Sequence, residues 1–192
     1  MSGIEETLSS ILSPDNVRRK QGETVIETSR KETPKELMQG LYTCMSNEKD
    51  DVAKLACVLI KQNFLEGDIP DEQTLRDLES GMFNILDTQR NILVLHAQGG
   101  VIVRVFSKLN DFKTLIEKII ELGKHEDPAF RELSMYMLEI LVDVHIPQEL
   151  AKENINDFKS IFWTGLEDHD LKVRISSLKA TGSFITSLDD PE

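Results

Sequence analysis

The sequence predicts an all-α fold, a stack of about five amphipathic helix pairs, and three observations predict it. Apolar residues recur at helical spacing along nearly the whole chain, the sign of helices buried on one face. A helix opening with acidic residues recurs as well. It reads Ser13-Pro14-Asp15-Asn16-Val17-Arg18-Arg19, then Asp50-Asp51-Val52-Ala53-Lys54, Asp127-Pro128-Ala129-Phe130-Arg131 and His169-Asp170-Leu171-Lys172-Val173-Arg174, with Asp87-Thr88-Gln89-Arg90 as a weaker copy. Finally, the anchors Val17, Val52, Gln89, Phe130 and Val173 are separated by 35, 37, 41 and 43 residues. A drifting period near forty residues, with two helical patterns per unit, marks an array of HEAT or armadillo type. The expected architecture is therefore a right-handed α-solenoid of HEAT repeats, spanning 3–30, 33–66, 70–107, 111–144 and 147–187.

The elements follow in order. Ile4, Leu8, Ile11 and Leu12 set a first helix over 3–12. Ser13 is placed to accept from free amides of the next first turn, Pro14 to take the first helical position, and Asp15 to oppose the positive end of the helix dipole. Helix 14–30 then begins its core at Val17, with Gln21, Thr24 and Val25 on the same side. Thr33-Pro34 with Glu36 opens a third helix, whose inward residues are Leu37, Leu41, Cys44 and Met45. Helix 50–66 puts Val52, Leu55, Ala56, Leu59 and Asn63 on one face. Gly67-Asp68-Ile69-Pro70 stops and restarts the chain into helix 70–86, which carries Leu75, Leu78, Met82, Ile85 and Leu86. Helix 88–107 holds Ile92, Leu95, His96, Val103 and Phe106, and its Gly99-Gly100 is read as a close approach of a neighbouring helix. Helix 111–123 ends at Gly123, where glycine suits a C-terminal cap. Helices 128–144, 147–166 and 170–187 complete the set. Leu188-Asp189-Asp190-Pro191-Glu192 adds no polar capping repeat, and solenoids need capped ends. The sequence is thus expected to be the front of a longer solenoid.

A formal net charge of −12 over 192 residues lacks the basic footprint that phosphate neutralisation requires. The sequence therefore predicts no nucleic-acid partner, and the charge favours a basic protein by long-range attraction. No apolar run reaches the length of a membrane span, and Met1–Glu6 has neither a basic nor an apolar leader region. Cys44 and Cys57 sit in apolar helical contexts and read as buried free thiols of a reducing compartment. His96, His125, His145 and His169 lie far apart, without metal-ligand spacing. Phosphate-loop, nucleophile-elbow and zinc-protease motifs are missing, and the carboxylate pairs fall at helix ends or tails. The expectation is no enzyme, no metal and no cofactor.

In such arrays the second helix of each pair usually lines the extended binding surface. Stepping from Val52 at 100° per residue puts Lys54, Cys57, Val58 and Lys61 opposite the core direction. Equivalent steps give Arg19, Glu23 and Ile26, then Asn91, Val94, Leu95 and Gln98, then Glu132, Met135, Tyr136 and Glu139. A face mixing charges with apolar groups suits protein binding.

Ile11-Leu12-Ser13-Pro14-Asp15-Asn16-Val17-Arg18-Arg19-Lys20-Gln21 closely resembles the first repeat of the importin-β (karyopherin-β) family, nearest its β3 branch. Val52-Ala53-Lys54-Leu55-Ala56-Cys57-Val58-Leu59-Ile60-Lys61 resembles the second repeat, and Val173-Arg174-Ile175-Ser176-Ser177-Leu178-Lys179-Ala180 fits a later one. Gln62 stands where the family often has asparagine, and the third repeat departs with Gln89-Arg90. The resemblance implies a nucleocytoplasmic transport receptor that shuttles between cytoplasm and nucleus. Its N-terminal repeats would bind the GTP form of the Ran GTPase on the concave face, and Ran would release protein cargo. Arg19, Lys54, Lys61 and Gln98 are carried over as Ran-facing positions, with basic cargo and nucleoporins as further partners. The other class open to the sequence is a HEAT scaffold that organises a different assembly.

Overall fold

The computed structural model describes residues 2–66, 71–87 and 91–189. The anchor Gln89 and the stop at Gly67-Asp68-Ile69-Pro70 lie outside these residues. Every described regular element is helical. The chain forms two compact units that divide between Val105 and Phe106.

The first unit holds α1 (Ser2–Ile11), α2 (Asn16–Glu32), α3 (Pro34–Cys44), α4 (Asp50–Ile60), α5 (Glu72–Glu79), α6 (Asn84–Asp87) and most of α7 (Ile92–Lys108). Helix α1 packs on α2, and α3 on α4, as antiparallel-pair connections of a few residues favour. Leu8, Leu37, Met38, Leu41 and Met45 are at most 1% exposed and join these pairs into one core. Burying each such side chain contributes roughly 1.5–3 kcal/mol.

The α2 opening differs from expectation. Pro14 precedes the helix, and Asp15 is the N-cap, accepting from the Val17 amide at 2.8 Å. The Ser13 hydroxyl instead accepts from the Asp15 amide at 3.2 Å. Val17 is 65% exposed and Val25 45%, so the expected core face is wrong. The buried residues of α2 are Gly22 and Ile26. A Cβ on Gly22 would lie 2.7 Å from Ile11 Cγ1 and 3.0 Å from the Thr7 carbonyl oxygen. Close crossing of α1 at Gly22 sets the face that α2 buries, and a glycine carries no weight in an apolar pattern.

Two expected helices are each split. Within 70–86, α5 ends at Glu79, and Ser80-Gly81 begin a turn before α6. Both residues have weak helix propensity, and Tyr42 packs its hydroxyl where a Gly81 Cβ would stand, at 2.7 Å. Within 147–166, α10 (Gln148–Glu153) and α11 (Ile155–Leu166) meet at Asn154. The Asn154 amide and its side-chain Nδ2 both donate to the Leu150 carbonyl, the side-chain competition that interrupts helices. Gly99 and Gly100 lie buried inside an uninterrupted α7.

The second unit holds the end of α7, then α8 (Phe112–Gly123), α9 (Pro128–Asp143), α10, α11 and α12 (Leu171–Asp189). Pairs α8–α9 and α11–α12 stack so that α9 lies on α12 and α8 on α11. Leu115, Ile119, Leu133, Met137, Phe158 and Ile161 fill the space between them. At the loops, Arg131 Nη1 donates to the carbonyls of His125 and Glu126, at 2.9 and 2.7 Å. Its Nε and Nη2 hold both oxygens of Asp168 in the next pair, at 2.6 and 2.9 Å. The Asp168 side chain is only 8% exposed, so this bidentate pair sits in a shielded setting. The hydrogen bond from Arg131, chiefly, holds the Asp168 carboxyl below the usual carboxylate range.

Two predictions follow from this packing. Glycine to alanine inside a helix ordinarily stabilises by about 1 kcal/mol, but Gly22→Ala meets Thr7 backbone and Ile11. Overpacking of this kind costs about 1–3 kcal/mol, so urea unfolding will show a net loss. Asp168→Asn will cost about 1.5–3 kcal/mol at neutral pH by removing hydrogen bonds to a charged group. Because the folded-state pKa is lowered, that stability is present above the ordinary carboxylate pKa and fades as pH falls through the lowered one. Urea melts across acidic pH will show the two proteins converging, with the natural chain losing stability in that window.

Candidate functional site

The candidate surface lies in the first unit, on the second helices of its first two pairs. Helix α4 buries Val52, Ala53, Ala56, Cys57 and Ile60. Cys57 is thus a core residue and not a surface one as expected from stepping around the helix. Burial pushes its thiol up to about 12 and leaves it a weak nucleophile. The core face is shifted by one residue from the expected Val52-Leu55-Ala56-Leu59 line, because α1 and α3 both press on it.

Opposite that core, Lys54, Val58 and Lys61 stand at i, i+4 and i+7, where side chains share one helix face. Val58 is 43% exposed, and Gln62 beside Lys61 is exposed too. Each lysine leans on a carboxylate of its own helix end. Lys54 Nζ lies 3.1 Å from Asp51, and Lys61 Nζ lies 3.3 Å from Glu66. Such exposed pairs are worth under about 1 kcal/mol, so a better acidic partner can take either lysine. Arg19 occupies the exposed side of α2 and donates to Asn16 Oδ1.

Lys61 begins a π-helical turn, Lys61–Leu65, closed by the Glu66 amide on the Lys61 carbonyl at 2.9 Å. Asn63 Nδ2 donates to the Leu59 carbonyl at 2.9 Å, while Phe64 and Leu65 anchor the turn in the core. Turns of this type are frequent at functional sites. Nothing in the apolar spacing of 50–66 announces the π turn, since its core residues still recur at helical distances.

Gln98 is not on this surface. It is fully buried, and its Nε2 donates to the Met45 carbonyl at 2.8 Å, tying α7 to the end of α3. Ile26, Val94, Leu95 and Met135 are likewise buried, and Asn91 Nδ2 reaches Asp50 at 2.6 Å. On α7 the stepping fails because the helix is enclosed on most sides and presents only Leu93 and Lys108 as exposed residues. In the second unit Glu132, Tyr136 and Glu139 form a half-buried ridge on α9, and burial foremost raises the Glu132 pKa.

No cluster of three or more His, Cys, Asp or Glu residues among the described residues could hold a metal ion. No described helix is long and apolar enough to cross a membrane.

Asn63→Ala will remove a half-buried hydrogen bond and cost about 1 kcal/mol. Hydrogen exchange will speed up over residues 61–65 and leave 52–57 unchanged.

A family model described as "IPO5-like, TPR repeats" matches residues 104–192. The 43-residue offset between Arg131 and Arg174 within that span is in the HEAT range and longer than the tetratricopeptide period of about 34. A comparison with curated proteins finds no match. Among solved structures, Kap121p bound to RanGTP covers all of this chain with a TM-score of 0.81 at 19% identity. The karyopherin Kap121p bound to the SUMO protease Ulp1p also covers all of it, with a TM-score of 0.82 at 20% identity. Kap121p bound to Nup53p gives full coverage, 0.79 and 19%. The chain spans 18–19% of the length of these structures. The fold is therefore that of the karyopherin α-solenoids of HEAT repeats, and the chain resembles the importin-β family both in the motifs of its first repeats and in the family model over its second half.

Proposed function

We propose that this chain is the N-terminal part of an importin-β-type nuclear transport receptor, in which the Lys54–Val58–Lys61 face of α4 and Arg19 of α2 engage the GTP form of Ran. The observation that carries the reading is the whole-length fold match to Kap121p, recorded in one structure bound to RanGTP. The lysine stripe supports it chemically. In a chain of net charge −12, it concentrates two half-exposed cations around an apolar residue on one helix face. Gln98 drops out of the contact set because it is buried. Basic protein cargo and nucleoporins are further partners in this reading, which places the protein in cytoplasm and nucleus. An acidic protein takes up basic cargo by long-range attraction, while the local lysine stripe selects an acidic patch on the GTPase.

The test is titration of the 192-residue chain against Ran loaded with a non-hydrolysable GTP analogue, and in parallel against its GDP form. Binding is expected to the GTP form alone. Lys61→Glu is expected to weaken it about tenfold, the equivalent of 1.4 kcal/mol, and added salt will weaken the natural chain more than the variant. Equal binding to both forms, or insensitivity to reversal of both lysines, favours a HEAT scaffold.

A further inference from the structure

Helices α1 and α3 touch but do not close on each other along their whole length. Beside Val25 of α2 they leave a groove of about 890 Å³, in the size range of ligand clefts. Gly40 brings the two helices together, since a Cβ there would stand 2.8 Å from Ile4 Cγ1. Gly3 also lines the groove, and a Cβ there would meet nothing within 4 Å, so the groove is open at that point.

The walls are apolar at Ile4, Val25 and Cys44. Val25 follows the apolar spacing of α2 yet is 45% exposed, and this groove is what it faces. Burial foremost, with Glu5 second, raises the Cys44 thiol, so it serves as an apolar wall and not as a nucleophile. Thr7 and Thr43 donate their hydroxyls to the carbonyls of Gly3 and Gln39 in their own helices, at 2.7 and 3.0 Å. Those donors are thereby satisfied within the wall.

The charge on the rim is of one sign. Glu5 and Glu36 line the groove, and no lysine, arginine or histidine does. Glu36 has no ion pair among the described residues, and the adjacent Lys35 is held by Asp71. Glu5 meets Lys49 at 3.6 Å, an exposed contact worth under about 1 kcal/mol. Carboxylates over an apolar floor select among occupants. An uncharged apolar segment would strip water from them without return, and an acidic one would be repelled. Lysine and arginine fit both parts, with methylene stems on the apolar surface and charged heads at a carboxylate.

We propose that this groove docks an extended segment of a partner protein in which lysine or arginine residues flank an aliphatic side chain, the charged heads meeting Glu5 and Glu36 and the aliphatic group resting on Ile4 and Val25. The groove shares no residue with the Lys54–Val58–Lys61 face or Arg19, so this inference stands apart from the reading of Ran binding.

The probe is a short peptide alternating lysine and leucine, titrated into the 192-residue chain. Its expected footprint in amide spectra is Gly3, Gly40, Thr43 and Asn47, and added salt should weaken it. Glu36→Gln is expected to weaken binding at least about threefold, within the range of one exposed ion pair. Gly3→Phe should fill the open point, leave the melting temperature unchanged and weaken binding about tenfold. Val25→Asn should weaken the lysine–leucine peptide and leave a lysine–glycine peptide unaffected, while Lys61→Glu should weaken neither. A footprint elsewhere, equal affinity for a glutamine–leucine peptide, or indifference to both Glu36→Gln and Gly3→Phe overturns the inference. Self-association of the natural chain in sedimentation, lost in Gly3→Phe, would assign the groove to a second copy and overturn it too.

Discussion

A helix pair of this kind is apolar on more than one side, so it cannot bury its surface alone, and every other feature depends on that constraint. Helices α3 and α4 pack on each other, yet they also meet α1, and Leu37, Met38, Leu41, Met45, Val52, Ala56 and Phe64 are all at most 2% exposed. Apolar contact is non-directional and would tolerate sliding of one pair on the next. Directional bonds near the helix ends remove that freedom. Asn91 on Asp50 and Gln98 on the Met45 carbonyl do so in the first unit, and the two-oxygen grip of Arg131 on Asp168 does so in the second. Apolar burial supplies the stability, and these few polar links select one register.

The loops reuse one local device. An aspartate or asparagine accepts the amide two residues on: Asp15 with Val17, Asn47 with Lys49, Asn91 with Leu93, Asp127 with Ala129, and Asp170 with Lys172. This short side-chain turn satisfies amides that the helix start leaves open. It explains why the recurring Asp-containing opening was legible in the sequence. The chemistry is confined to a few consecutive residues and needs no knowledge of the neighbours.

What was not legible is whatever a neighbour decides. The period and the helix pairs were readable, because the apolar spacing encodes them. The direction in which α2 faces was not, since Gly22 fixes it through contact with Thr7 and Ile11 while Val17 and Val25 mimic a core face. The breaks at Gly81 and Asn154 have local signals, weak propensity at Ser80-Gly81 and a side chain able to compete for a carbonyl, but the continuous apolar spacing around them masks both. Of the expected surface positions, Lys54 and Lys61 lie on an accessible face and Gln98 does not. Helix α4 has one open side, whereas α7 is enclosed on most of its circumference. A stepping rule that assumes one buried face finds the lysines of the first, though it misplaces Cys57, and fails for the second.

The lysine face, read as proposed, gives an acidic protein a cationic site that need not destabilise it. Lys54 and Lys61 each rest near a carboxylate of their own chain, Asp51 and Glu66, which limits repulsion between the two lysines when the surface is empty. Those pairs are exposed and weak, so exchanging them for a partner's carboxylates costs little. The π turn adds the geometric part. Lys61 opens it, and Asn63, Phe64 and Leu65 hold it to the Leu59 carbonyl and the core. The stem of Lys61 is therefore set on a fixed backbone while its ammonium is loosely held. Affinity at such a site depends on how well the partner's carboxylates match two lysines seven residues apart on a rigid helix, with Val58 between them as the apolar contact. In the proposed reading, net charge would govern the approach of partners from a distance, and this local arrangement would govern which of them stays.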